Sequence, residues 1–303
     1  MNKADRILAA VEKAKAGYTG KLGFAFYDLS TGEECYLHKE EAFPLASVFK
    51  IYLLTALYRC VEEGSISLSD RLEVTPETMS PGSGILSRFR YSVPLSVYDH
   101  AILMMGLSDN TATDFLYRLV GRERIYSKVV QPLNLRETKV DMDCTTLINT
   151  FFGITPGITP EERTKIVYSG AFRNSDYYTC KTELNDCSSP RDLVTVLRSL
   201  YDGEIVSRES AEEIFNIMQP IPQKARIEKY LPLGTRVARK TGTLDRTNND
   251  AGIVFTPRGD YVVVTLYNCN TADEAEYMAN NSIRSEELLS MVSKAVYDVY
   301  MED

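Results

Sequence analysis

The chain has 303 residues, 44% hydrophobic and 25% charged, enough to bury a sizeable core as one large domain or two closely packed ones. Its 34 basic and 42 acidic residues leave a net charge of −8, and no Lys/Arg run interrupts that balance, which argues against nucleic acid or an anionic membrane surface as a partner. No apolar stretch reaches the roughly 18 residues that a membrane span needs.

The amino terminus, Met1 to Arg6, is charged and lacks an apolar leader core. It reads as a cytoplasmic chain, or as an extracytoplasmic one whose leader has been removed. Ile7, Leu8, Val11 and Ala14 then recur at helical spacing. Leu22, Phe24 and Phe26 alternate with Gly23, Ala25 and Tyr27 as in a strand. The turn signal Asp28-Leu29-Ser30-Thr31-Gly32 returns the chain through Glu34 to Leu37 as a hairpin. From Pro44 to about Leu200 helical patterns dominate, at 47–63, 96–106, 109–120, 122–130 and 190–201, with Gly and Pro punctuating them. The segment 150–189 is turn-rich, carries Tyr177 and Tyr178 near two cysteines, and reads as a long loop or insertion. Strand patterns return at 236–240, 251–255 and 261–267, the last two joined by Thr256-Pro257-Arg258-Gly259-Asp260. Leu288, Leu289, Val292, Ala295, Val296 and Val299 then form a closing amphipathic helix.

Strands and a helix therefore sit at both ends with helices between. The expected architecture is α/β of the α+β kind: one antiparallel sheet built from both termini, flanked by helices, with an all-helical lobe inserted. Residues 1–43 and 202–303 form the sheet domain and 44–201 the helical domain. The lobes meet at a cleft, the usual place for a pocket.

Six scattered cysteines with no Cys-x-x-Cys pair argue against zinc and against a thioredoxin-type site, and no metal is expected. Reduced thiols are the expectation, with one disulfide within Cys144, Cys180 and Cys187 as the alternative. His38 and His100 are the two histidines, and neither has a nucleophile beside it in sequence. Both are assigned surface or capping roles, so another residue type must move protons.

Three short motifs can do so. In Ser47-Val48-Phe49-Lys50 the serine and lysine share one helix face, and the apolar neighbours Phe49, Ile51, Leu53 and Leu54 keep the lysine from being simply solvated. A buried lysine has a lowered pKa and can take the serine proton. Free N–H groups at a helix start suit an oxyanion. Ser108-Asp109-Asn110 is, by itself, equally a helix N-cap. Lys240-Thr241-Gly242-Thr243 closes a strand, where it is either an edge lysine before a turn or an ammonium set against a substrate carboxylate.

Together and in this order, the three motifs resemble those of the class A β-lactamases and penicillin-binding proteins. Phe43-Pro44-Leu45, Ser83-Gly84-Ile85-Leu86, Thr111-Ala112, Ser189 to Leu193 and Asn249-Asp250 extend the likeness across residues 20 to 300. The resemblance implies Ser47 as nucleophile, Lys50 as its base or proton relay, and Ser108 as the shuttle to the leaving nitrogen. It implies that Lys240 tunes Ser108 and attracts a carboxylate, and that Thr243 binds that carboxylate. Asn110 holds a substrate amide oxygen and Lys50. Thr241 and Gly242 offer the strand edge, and the N–H groups of Ser47 and Thr243 make the oxyanion hole. No cofactor is implied; the expected partner is a small β-lactam or peptide-like substrate, and the expected state is a monomer.

One departure matters. The family's Glu-x-x-x-Asn, which activates the deacylating water, has no match where it would fall, near Asp141 to Thr145. Asp143 or Asp141 stands near its place, and Glu183-Leu184-Asn185 has the wrong spacing, with Lys181 where the acid belongs. The open alternatives are a β-lactam hydrolase, a penicillin-binding or sensor-type protein that acylates without efficient turnover, and an esterase or amidase on other substrates. A glutaminase-like hydrolase also uses Ser-x-x-Lys, but the intact second and third motifs argue against it.

Overall fold

Strand alternation separates two apolar layers in the computed structural model, which describes residues 2–155, 157–169, 180, 185–219, 225–269 and 282–302. Helix α1 (Lys3–Lys15) leads into β1 (Lys21–Asp28) and β2 (Glu34–Leu37). A short strand β3 (Phe43–Pro44) and a 3₁₀ turn, Ala46–Phe49, precede the central helix α2 (Lys50–Glu62). A two-stranded ribbon, β4 (Arg71–Val74) and β5 (Val93–Ser96), precedes α3 (Val97–Gly106), α4 (Asn110–Val120), the short α5 (Arg122–Ile125) and a π turn at Tyr126–Val130. Next come α6 (Cys144–Phe152), α7 (Pro160–Ser169), β6 (Cys187–Ser188), α8 (Pro190–Asp202) and α9 (Arg208–Ile217). Strands β7 (Arg236–Leu244), β8 (Thr247–Thr256) and β9 (Gly259–Asn268) and helix α10 (Ser282–Glu302) complete the chain.

The five-stranded sheet has the order β2-β1-β9-β8-β7 and is antiparallel throughout, so both chain ends contribute, as the patterns predict. Leu22, Phe24, Phe26, Tyr261 and Val263 point to one face, where Ile7 and Val11 of α1 and Leu288, Leu289, Val292 and Val296 of α10 cover them. Ala25, Val262, Val264 and Leu266 point to the other face, beneath the helical layer. Each fully buried side chain of this size contributes about 1.5–3 kcal/mol. Helix α2 is buried on almost every side, which explains its nearly unbroken apolar sequence.

Several expectations need correction. The helical layer does not stop at 201, because α9 continues it and packs against α3 and α8. Residues 150–189 are not all loop: the end of α6 and all of α7 lie there, while Tyr177, Tyr178, Lys181 and Glu183 fall outside the described residues. The thiols are not all reduced, since Cys180 and Cys187 form a disulfide and Cys35, Cys60, Cys144 and Cys269 are free. His38 is a surface residue paired with Glu41, but His100 is buried. Its ring packs on Phe115 and its Nδ1 donates to the Ser96 carbonyl at 2.8 Å, filling space under α3. No helix among the described residues is long and apolar enough to cross a membrane.

Candidate active site

The 3₁₀ turn at Ala46–Phe49 sets the site by holding Ser47 half-buried ahead of α2. Ala46, just before the serine, has φ of 46°, and Ser108 has φ of 53°. Left-handed backbone at a non-glycine residue costs free energy and persists only where its surroundings fix it. The neighbouring strand helps to fix this turn. Asn249 on β8 donates from Nδ2 to the carbonyls of Pro44 and Leu45, at 2.6 and 3.1 Å. Gly242 on the edge strand β7 lies so close that any Cβ there would collide with the Leu45 carbonyl. The glycine of Lys-Thr-Gly is therefore required by the close approach of the strand edge to the nucleophile turn.

Ser108-Asp109-Asn110 divides two tasks among its residues. Asp109 is the N-cap of α4, accepting from Ala112 N at 3.0 Å, while its other carboxylate oxygen accepts from the N–H groups of Ile85 and Leu86 at 2.6 and 2.9 Å. The cap thereby anchors the 81–86 loop as well as the helix. Ser108 and Asn110, on either side of it, face the site. Lys50 Nζ donates to Ser108 O at 2.9 Å, to Ser108 Oγ at 3.1 Å and to Asn110 Oδ1 at 3.2 Å. Lys240 Nζ reaches the same Ser108 Oγ at 3.1 Å and also Thr241 O at 2.8 Å. One hydroxyl thus joins two buried ammonium groups, and its own proton is left to donate.

Burial lowers the pKa of Lys50, although the carboxylates of Asp114 and Asp109 partly oppose the shift. Lys240 is pushed well below the usual lysine range, first by burial and then by the charges of Lys50 and Arg239. Two cations this close in a low dielectric disfavour each other, so the pair favours losing a proton. Among the described residues Lys50 makes no hydrogen bond to Ser47 Oγ; its acceptors all lie at 108 and 110. Asn110 Nδ2 donates to Pro81 O at 2.8 Å, which leaves its second N–H for a ligand. Ser83 Oγ lies 2.9 Å from Ser108 O and 3.2 Å from Asn110 Oδ1, bracing both.

Sequence reasoning missed Arg226. This buried residue in a 3₁₀ turn, Arg226–Glu228, has φ of 50°. Its Nη1 donates to Gly242 O and Asn249 O at 2.9 and 2.6 Å. Its Nη2 lies 2.5 Å from Thr243 Oγ1, 2.8 Å from Asn248 Oδ1 and 2.7 Å from Glu286 Oε1. No motif surrounds it in sequence, and only the fold brings it behind Thr243.

Ser47, Asn110 and Thr243 open on a cavity of about 230 Å³. Its far wall is apolar: Phe49, Cys144, Leu147, Ile148, Phe152 and Leu244. No carboxylate lines it among the described residues. Asp143 is near in sequence but serves as N-cap of α6, accepting from Thr146 N at 2.7 Å. Asp141 Oδ1 accepts from Arg122 Nε and Tyr126 OH at 2.9 and 2.6 Å. Burial pushes the Cys144 thiol up, so it stays protonated and is no rival nucleophile.

The sheet, the inserted helices and the serine between two lysines are the fold of the acyl-enzyme serine hydrolases. The chain belongs to the beta-lactamase enzyme family, whose profile matches residues 3–300. It is 21% identical to the beta-lactamase VEB-1 of Pseudomonas aeruginosa over 99% of this chain and 92% of that protein. The crystal structure of a beta-lactamase from Sphaerobacter thermophilus superposes with a TM-score of 0.76 at 25% identity, covering 99% of this chain and 98% of the other. A mutant of PBP-A, solved as an acyl-enzyme complex with penicillin-G, superposes with a TM-score of 0.76 at 23% identity, covering 99% and 97%.

Proposed function

We propose that this chain acylates Ser47 with β-lactam or related amide substrates and releases the acyl group slowly. The observation that carries the first half is the shared hydroxyl of Ser108, held by both Lys50 and Lys240 at 3.1 Å beside the nucleophile turn. The Oγ of Ser47 attacks the carbonyl carbon while backbone N–H groups of Ser47 and Thr243 receive the oxyanion. Lys50, its proton affinity lowered by burial, takes the hydroxyl proton. Ser108 passes a proton to the leaving nitrogen as the C–N bond breaks, and Lys240 replenishes it. Thr241 and Gly242 present the strand edge to the substrate amide, and Thr243 with Arg226 behind it takes a substrate carboxylate.

The second half rests on the apolar wall. Hydrolysis of an ester at Ser47 needs a base to activate water, and no carboxylate lines the cavity among the described residues. This favours an acylating, penicillin-binding or sensor-type protein over a rapid β-lactam hydrolase. Intact-mass spectrometry after mixing with a penicillin, run beside a chromogenic cephalosporin assay, tests both halves. The expected result is a lasting mass increase, absent in Ser47→Ala, with little cephalosporin turnover. Rapid turnover with no adduct overturns the slow-release half, and normal behaviour of Ser47→Ala overturns the whole.

A further inference from the structure

Arg226 has more acceptors than its protons can serve. A guanidinium group carries two N–H protons on each Nη. Those of Nη1 are matched by Gly242 O and Asn249 O. Nη2 faces three oxygens, Thr243 Oγ1, Asn248 Oδ1 and Glu286 Oε1, all within 2.8 Å. Two of these are fixed by the fold. Thr243 sits on β7, and buried Asn248 on β8 is itself held by Ser285 Oγ, to which its Nδ2 donates at 2.6 Å. Glu286 differs, because its side chain is 46% exposed on the first turns of α10 and can swing into solvent. The guanidinium itself is 3% exposed, so a further acceptor gains Nη2 as one of these three gives way, and Glu286 is the one that the sheet does not hold.

We propose that Glu286 is an internal carboxylate competitor that occupies Arg226 when no acidic substrate is bound and sets the preference of the site for carboxylated over neutral substrates. The inference rests on the reading of Thr243 and Arg226 as the substrate-carboxylate site. An incoming carboxylate at Thr243 shares Nη2 only by displacing Glu286. The favourable encounter of anion and guanidinium is therefore offset by the loss of an existing ion pair. Removing the charge of Glu286 removes that offset and exposes an unneutralised cation to the ligand. A neutral ligand at the same place gains nothing from the change.

The test is calorimetric binding of benzylpenicillin and of its methyl ester to three proteins: Ser47→Ala, Ser47→Ala with Glu286→Gln, and Ser47→Ala with Glu286→Ala. The Ser47→Ala background stops acylation, so equilibrium affinity is read. The free acid is expected to bind about two- to fivefold more tightly to both Glu286 variants, the scale of a partly exposed ion pair, with the ester unmoved. If Glu286 instead only positions Arg226, Glu286→Ala weakens the acid while Glu286→Gln, which keeps an acceptor, restores it. That result overturns the proposal, as do equal changes for acid and ester or no binding of the acid to any of the three. Adduct formation on the unmodified protein is scored separately, so loss of the acylation reading and loss of the competitor role are told apart.

Discussion

The two walls of the cavity differ in how they are built. On the side of α2, α4 and β7 the wall is polar and cross-linked: Lys50, Ser108, Asn110, Lys240 and Ser83 form one hydrogen-bonded set. On the side of α6, Cys144, Leu147, Ile148 and Phe152 present carbon and a protonated thiol. On the proposed reading the first wall carries the groups that form an ester at a serine, and the second shows no carboxylate among the described residues that would break it. The proposed acylation and deacylation steps thus draw on different walls. The α6 segment is attached by its own contacts. Chief among these is buried Asp114, which accepts from Ser80 Oγ, Cys144 N and Thr145 Oγ1 at 2.6, 2.7 and 2.7 Å.

The comparison breaks most sharply at Lys50. Lys50→Met keeps the apolar stem but removes the proton acceptor and leaves Ser108 O and Asn110 Oδ1 without their cation. Adduct formation is expected to slow by roughly 10²–10⁴-fold, the range for loss of a general base. A rate within a factor of about three of the parent, read by stopped mass spectrometry, would move the base elsewhere. The opposite wall is sharpened by adding a carboxylate to it. Ile148 lines the cavity beside Gly82 and Asn110 and is only partly buried, so Ile148→Glu can place a carboxylate there without full desolvation. The lifetime of the adduct is expected to shorten by on the order of tenfold, below the full contribution of an optimised base. An unchanged or longer lifetime would show that want of a carboxylate on this wall is not what limits release. A smaller effect is expected at Lys240. Lys240→Ala should reduce the acylation efficiency of a carboxylated penicillin more than that of its ester, by about 1 kcal/mol of difference. Equal losses would leave Lys240 as a tuner of Ser108 alone.

What was legible in the sequence follows how local each feature is. Ser47 with Lys50, and Ser108 with Asn110, lie within one helical turn of each other, so pattern and chemistry coincide in a few residues. The sheet strands were legible because period-two alternation is written in each strand separately, and Leu22, Phe24 and Phe26 face one layer as the pattern requires. Arg226 was not legible, since its meaning lies in contacts to Gly242, Thr243, Asn248 and Glu286 that only the fold assembles. Ser108-Asp109-Asn110 could be read as a cap or as chemistry; Asp109 is the cap, while Ser108 beside it meets both lysines. Helix α7 escaped because turn residues at 153–160 mask a helix start, and the Cys180–Cys187 bond stood only as one pairing within an alternative because a disulfide depends on spatial approach rather than spacing.

Asp186 shows how the weaker wall is attached, and it can be tested through pH. Its carboxyl is fully buried just before β6; Oδ1 accepts from Asp141 N at 2.8 Å, while Oδ2 has no partner among the described residues. Burial, with the nearby charges of Asp141 and Asp143, raises its pKa well above the ordinary aspartate value. A raised carboxyl binds its proton more tightly in the folded than in the unfolded state. Its contribution is therefore fully present below the unfolded pKa and is lost as pH rises through the folded one. Asp186→Asn mimics the protonated form and cannot ionise. The variant should match the parent near pH 4 and become more stable than it as pH rises, by on the order of 1–3 kcal/mol at pH 8, the cost of an unsatisfied buried group. Urea denaturation of both proteins at the two pH values gives that difference directly. A constant offset would mean that the Asp186 carboxyl titrates alike in the folded and unfolded chain, and a deficit growing with pH would mean that an ionised Asp186 is a favourable part of the α6 anchor.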